Sequence, residues 1–143
     1  MILCDVNILV YAHREKADRH ESYLGWLTSV LDGEEDFGVS DHVLSAMMRI
    51  VTNRRVADPP SSIEEAVQFA EGIRDHPNAQ RIAPGPRHWQ IFSRLCREAK
   101  AAGNLVPDAY FAALAIEHGC EWITTDRDYA RFPGLRWRHP LEG

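Results

Sequence analysis

Along this chain, short apolar runs alternate with longer stretches of helical spacing, and that alternation constrains the fold more than any other feature. Ile2 to Cys4, Phe37 to Val39, Gln80 to Ala83, Glu121 to Thr124 and Leu135 to Trp137 are short enough to read as strands. Between them, Asp18 to Leu31 has an apolar face of Tyr23, Leu24, Leu27, Val30 and Leu31. Ser40 or Asp41 starts a helix carrying Val43, Leu44, Met47, Met48 and Val51. Asp58-Pro59-Pro60 marks a turn, and Ser61 or Ser62 starts a helix running through Ile73. Pro86 opens another, reaching about Ala102, with Trp89, Phe92, Leu95, Cys96 and Ala99 expected inward and Gly103-Asn104 ending it. A last helix starts near Pro107 and stops at Gly119. Strands that alternate with helices imply a parallel sheet covered by helices on both faces. The expected class is therefore α/β: one three-layer α/β/α domain over residues 1–143 with a mainly parallel central sheet.

A chain of 143 residues suits one domain with its own core. Its 45% apolar and 26% charged content is that of a globular protein. No apolar run approaches the roughly 20 residues that a membrane helix needs, so no membrane partner is expected. The opening MILCDVNILV lacks a basic leader segment, and Cys4, Cys96 and Cys120 form no CxxC pair. Buried free thiols and a cytoplasmic location are the expectation. The net charge of -5 argues against binding nucleic acid through bulk charge.

Asp5 breaks into the most apolar stretch of the chain, where aspartate is depleted and costly to bury alone. Sites in open parallel sheets form beyond the carboxyl ends of the strands. Asp5 ends the first strand, Asp126 follows the CEWIT strand in the turn TTDRD, and Asp128 lies two residues on. Asp108 occupies the first turn of the helix leading into that strand, so it returns to the same end. Clustered carboxylates repel, and a divalent cation relieves the repulsion. Oxygen ligands without His or Cys suit Mg²⁺ or Mn²⁺. No serine elbow, phosphate-binding P-loop or GxGxxG is present, so hydrolysis of a phosphate ester or phosphodiester is the natural chemistry. A phosphatase or phosphoacceptor domain would need a lysine beside the acids, and neither Lys16 nor Lys100 is well placed.

These residues resemble a known family. MILCDVNILVYA is similar to the opening of a PIN domain, the nuclease fold of VapC-type toxins in bacterial toxin–antitoxin pairs. GNLVPDAYFAALAIEHGCEWITTDRDYARFPGLRW is similar to its second half. The resemblance implies an endoribonuclease that uses Mg²⁺ or Mn²⁺, a cognate antitoxin and a homodimer. It implies Asp5, Asp108 and Asp126 as catalytic metal ligands, supported by Asn7, Thr124 and Asp128. One position departs from the pattern: in SDHVLSAMMRIVTN, Ala46 stands where the family usually has a Glu, and Asp41 is the possible substitute. The departure keeps a second reading open, a degenerate PIN domain that binds RNA or protein without cutting.

Arg127, Arg131, Arg136 and Arg138, with Trp137 among them, are candidate RNA contacts. Of the adjacent Met47 and Met48, one is expected in the core and the other on a groove for a partner helix.

Overall fold

The computed structural model describes residues 1–142. The strands are β1 (Ile2–Cys4), β2 (Phe37–Val39), β3 (Ala79–Arg81), β4 (Glu121–Ile123) and β5 (Trp137–Arg138). The helices are α1 (Val6–His13), α2 (His20–Asp32), α3 (Asp41–Val51), α4 (Ile63–Arg74), α5 (His88–Ala99) and α6 (Leu105–Glu117), followed by a 3₁₀ turn over Arg127–Arg131. The strands form one sheet in the order β3-β2-β1-β4-β5, and every pairing is parallel.

That order has a consequence for function. The chain winds outward from β1 through β2 to β3, then returns to lay β4 on the other side of β1. The β1–β4 boundary is thus the topological switch point, where the flanking loops part and leave a crevice. Helix α1 packs between α2 and α3, α4 packs on α3, and α5 packs on α6 as a separate pair. Right-handed crossovers on either side of a switch point produce this division into two helical layers.

The core unites Leu3, Ile8, Val43, Met47, Leu95, Leu114, Trp122 and Ile123, each essentially without exposure. Helix α6 is buried almost all round, and its Ala109, Ala112, Ala113 and Ala115 allow α5 and the sheet to approach closely.

Several boundaries differ from the sequence expectations. The first apolar stretch is not one interrupted strand. It is a three-residue strand, then Asp5, then α1, which the alternating pattern did not indicate. Helix α5 ends at Ala99 because Lys100 takes the left-handed cap (φ 51°), not Gly103. Trp89 does not point inward. His88 is the buried residue instead, its Nε2 donating to the Tyr110 carbonyl at 2.9 Å, and this turns Trp89 out to 69% exposure. Met47 is fully buried, while Met48 is half-buried beside a groove between α3 and α4. The three cysteines are free, but only Cys120 is fully buried. No helix of the described residues is long and apolar enough to cross a membrane.

Candidate active site

The register of two strands sets the first contact. Cys4 pairs with Ile123, so the next residues, Asp5 and Thr124, emerge side by side at the carboxyl edge. The Asp5 N–H continues the ladder by donating to the Ile123 carbonyl at 2.8 Å. Thr124 then donates its hydroxyl to Asp5 Oδ2 at 2.6 Å. The other oxygen, Oδ1, accepts the Val6 N–H at 2.7 Å, so Asp5 is also the N-cap of α1. A carboxylate at a helix N-terminus gains further from the dipole. Local structure thus places Asp5, and those contacts offset part of the cost of holding it at only 6% exposure.

The turn after β4 extends the same chain of contacts. Thr124 Oγ1 accepts the Asp126 N–H at 3.0 Å, and Asp126 Oδ1 accepts the Asp128 N–H at 2.9 Å. From the opposite side, Asp108 in the first turn of α6 accepts the Tyr129 hydroxyl at 3.3 Å. Tyr129 is buried against Trp122 and Phe132, so its ring is fixed. Tyr129 was not legible as a site residue in the sequence, where DYARF offers only an aromatic after the acids.

Electrostatics register the crowding. Burial pushes the Asp5 carboxyl up to about 6, against the bonds from Thr124 and Val6, and the charges of Asp108 and Asp126 add to the rise. Burial also raises Asp108, with Asp126 and Asp128 pushing the same way. Asp5, Asp108 and Asp126 supply only oxygen donors and lack a positive partner among themselves, a donor set that suits a hard divalent cation. Among the described residues, no three acidic, imidazole or thiol groups stand close enough together to enclose an ion.

Other expected site residues lie elsewhere. Asn7 is not among the donors to Asp5, which are Val6 and Thr124. Asp41 is turned away from the cluster: it pairs in a fork with Arg74 at 2.7 and 3.2 Å, while Ser40 caps α3. That pairing engages both of its oxygens. Arg127 and Arg131 lie in the turn beside Asp126 and Asp128, where Arg127 pairs with Glu142. Arg136 and Arg138 do not join them. They bind the Gly119 carbonyl and the Glu121 carboxylate, at the start of β4.

Thr124→Val tests the hub of this network. The change preserves shape but removes the donor to Asp5 and the acceptor for the Asp126 N–H. The expected result is a further rise in the Asp5 pKa, read by carboxyl NMR titration, and a stability loss of about 1–3 kcal/mol.

Comparison with known proteins decides the family. The PIN domain matches residues 2–135. This chain belongs to the PIN domain family. Among curated PIN relatives, ribonuclease VapC43 of Mycobacterium tuberculosis is 44% identical over 143 residues, spanning 100% of this chain and 97% of its own. Ribonuclease VapC25 of the same organism is 39% identical over 140 residues, spanning 98% and 99%. Two crystal structures share the PIN fold. VapBC2 from Rickettsia felis, bound to a DNA fragment from its promoter, has a TM-score of 0.71 at 19% identity, covering 97% of this chain and 98% of that one. VapC20 of M. tuberculosis, described as a toxin that cleaves the sarcin–ricin loop, has a TM-score of 0.63 at 18% identity, covering 95% and 99%.

Proposed function

We propose that this PIN domain is an endoribonuclease, the toxin of a toxin–antitoxin pair, with Asp5, Asp108 and Asp126 as its catalytic carboxylates. The observation that carries the reading is the meeting of Asp5 with the Thr124–Asp126 turn at the switch point, in a chain 44% identical to a VapC ribonuclease over its whole length. The three carboxylates would hold Mg²⁺ or Mn²⁺. Bound there, the cation would lower the pKa of a water and offset the charge gathering on the phosphoryl oxygens.

The chain's own part is orientation. Val6 and Thr124 fix both oxygens of Asp5, Thr124 and Asp128 hold the Asp126 turn, and Tyr129 steadies Asp108. Carboxylates set in place before substrate arrives lose little entropy in the reaction. The partners proposed are an RNA substrate, a cognate antitoxin and a second copy of this chain. The groove between α3 and α4, with Leu44, Met48, Val67 and Ala70 apolar and Asp41 and Arg74 polar, has the character that receives an amphipathic helix.

The test is cleavage of total cellular RNA by purified protein with Mg²⁺ or Mn²⁺, with EDTA, and beside Asp5→Asn. Discrete cuts that need the metal and Asp5 support the reading. Ala46 favours a second reading, binding without cutting, and calorimetric metal uptake with no cleavage would establish it. Proton and cation compete for the same oxygens. At subsaturating Mn²⁺, cleavage should therefore fall steeply as pH drops below about 6, where metal-free Asp5 takes up its proton. A rate that stays flat from pH 5 to 8 removes Asp5 from the ligand set.

A further inference from the structure

The acids of this chain outnumber its Lys and Arg residues by 21 to 16, yet one segment reverses that balance. Residues 81–100 contain Arg81, Arg87, Arg94, Arg97 and Lys100 against the single acid Glu98. All five cations are exposed. Arg94 pairs with Glu98 and Arg87 donates to the Glu117 carbonyl; among the described residues Arg97 and Lys100 enter no ion pair. The segment includes α5, whose turned-out Trp89 is the most exposed of the large hydrophobic residues. On α5, Trp89, Ser93 and Arg97 follow at i, i+4 and i+8, along one stripe of the helix.

The tryptophan is the outer end of a series of rings. Trp89 lies 5.4 Å from Phe92, Phe92 lies 5.4 Å from Tyr110, and Tyr110 lies 5.6 Å from His42. Tyr110 belongs to α6, two residues beyond Asp108. The rings therefore run from an exposed platform to the helix that carries a proposed catalytic carboxylate. Aromatic rings that stack bases, interleaved with cations that meet phosphates, are how proteins hold single-stranded RNA.

We propose that the Trp89–Arg97 face of α5 is the surface that holds single-stranded RNA substrate, with Trp89 stacking on a base and Arg97 meeting the backbone. This inference rests on the ribonuclease reading. A buried dimer interface is the competing use of an exposed tryptophan, but the cations of residues 81–100, five against one acid, would repel a second copy of the same face, whereas RNA supplies the opposite charge.

The experiment uses a labelled 12-nucleotide single-stranded RNA in EDTA, which permits binding without cutting, and compares wild type, Trp89→Ala, Trp89→Phe and Arg97→Ala. Thermal melts confirm that each variant is folded. Trp89→Ala should weaken binding about tenfold or more, Trp89→Phe by less, and Arg97→Ala should lower the salt slope by about one. Under cleavage conditions Trp89→Ala should raise KM far more than it lowers kcat. Variants that bind and cut as wild type does overturn the proposal while the nuclease reading stands. So does a Trp89→Ala protein that sediments as a monomer where wild type is a dimer, with RNA affinity unchanged. A wild type that neither binds nor cuts RNA overturns both.

Discussion

Asp5→Asn should abolish RNA cleavage and at the same time make the metal-free protein more stable at neutral pH. Losing a partner that only orients a metal ligand commonly costs 10- to 100-fold, so losing a direct ligand should cost at least about a hundredfold. The stability gain follows from linkage. The Asp5 carboxyl titrates near 6 when folded, against about 3.9 in an unfolded chain. Between those values the folded state binds more protons, so wild-type stability from this group is greatest below pH 4 and is lost as pH rises through 6. The gap between the folded and unfolded values sets a ceiling of about 3 kcal/mol. Asn keeps the helix cap, since it caps as well as Asp, but it matches the Thr124 and Val6 donors less well. A net gain of about 1–2 kcal/mol at pH 7.5 is expected, read by urea unfolding in EDTA, with a flatter pH dependence than wild type. Activity lost together with stability would contradict the assignment, because it would make Asp5 a structural residue.

Glu117→Ala should be among the most damaging single changes. Glu117 ends α6 with its side chain buried, and its oxygens accept the Gly85 N–H at 2.7 Å and the Arg87 N–H at 2.9 Å. Burial pushes its carboxyl up, but those two bonds and the nearby His118 and His88 outweigh burial and hold it below the usual range. Alanine would leave two backbone donors unmet, at a cost of about 2–4 kcal/mol by thermal or urea unfolding. The contribution is present above the unfolded carboxylate range and is lost as pH falls through the lower folded value. Gly85→Ala attacks the same joint from the other side. Its Cβ would meet Glu117 Oε2 at 2.7 Å, and that oxygen is held in place rather than free to swing. Because this segment leads into α5, both changes should also loosen the proposed RNA face. An unchanged melting temperature in Glu117→Ala would show that water replaces the carboxylate without cost.

The central carboxylates were legible because they violate a local rule. An aspartate within an apolar stretch, and another in the turn after a later strand, stand out against the alternating pattern. Helix α1 was not legible, since VNILV is apolar but for Asn7 and carries no helical period; only the cap geometry at Asp5 separates it from β1. The candidate RNA contacts divided for a similar reason. Arg127, Arg131, Arg136 and Arg138 are close in sequence, but the chain turns between them: two lie in the turn beside the acids, Arg136 binds the carbonyl that precedes β4, and Arg138, paired with Ile123, turns its guanidinium back to Glu121.

The sequence by itself determined the layered α/β class and singled out Asp5, Asp108 and Asp126 as candidates, because hydrophobic period and an acid set at the end of an apolar run are properties of short segments. Only the tertiary structure decided which oxygen of Asp5 faces Thr124, that Tyr129 reaches Asp108, that Asp41 is committed to Arg74, and that His88 turns Trp89 outward. Each depends on strand register or helix rotation, which contacts between residues distant in sequence fix and no local pattern encodes.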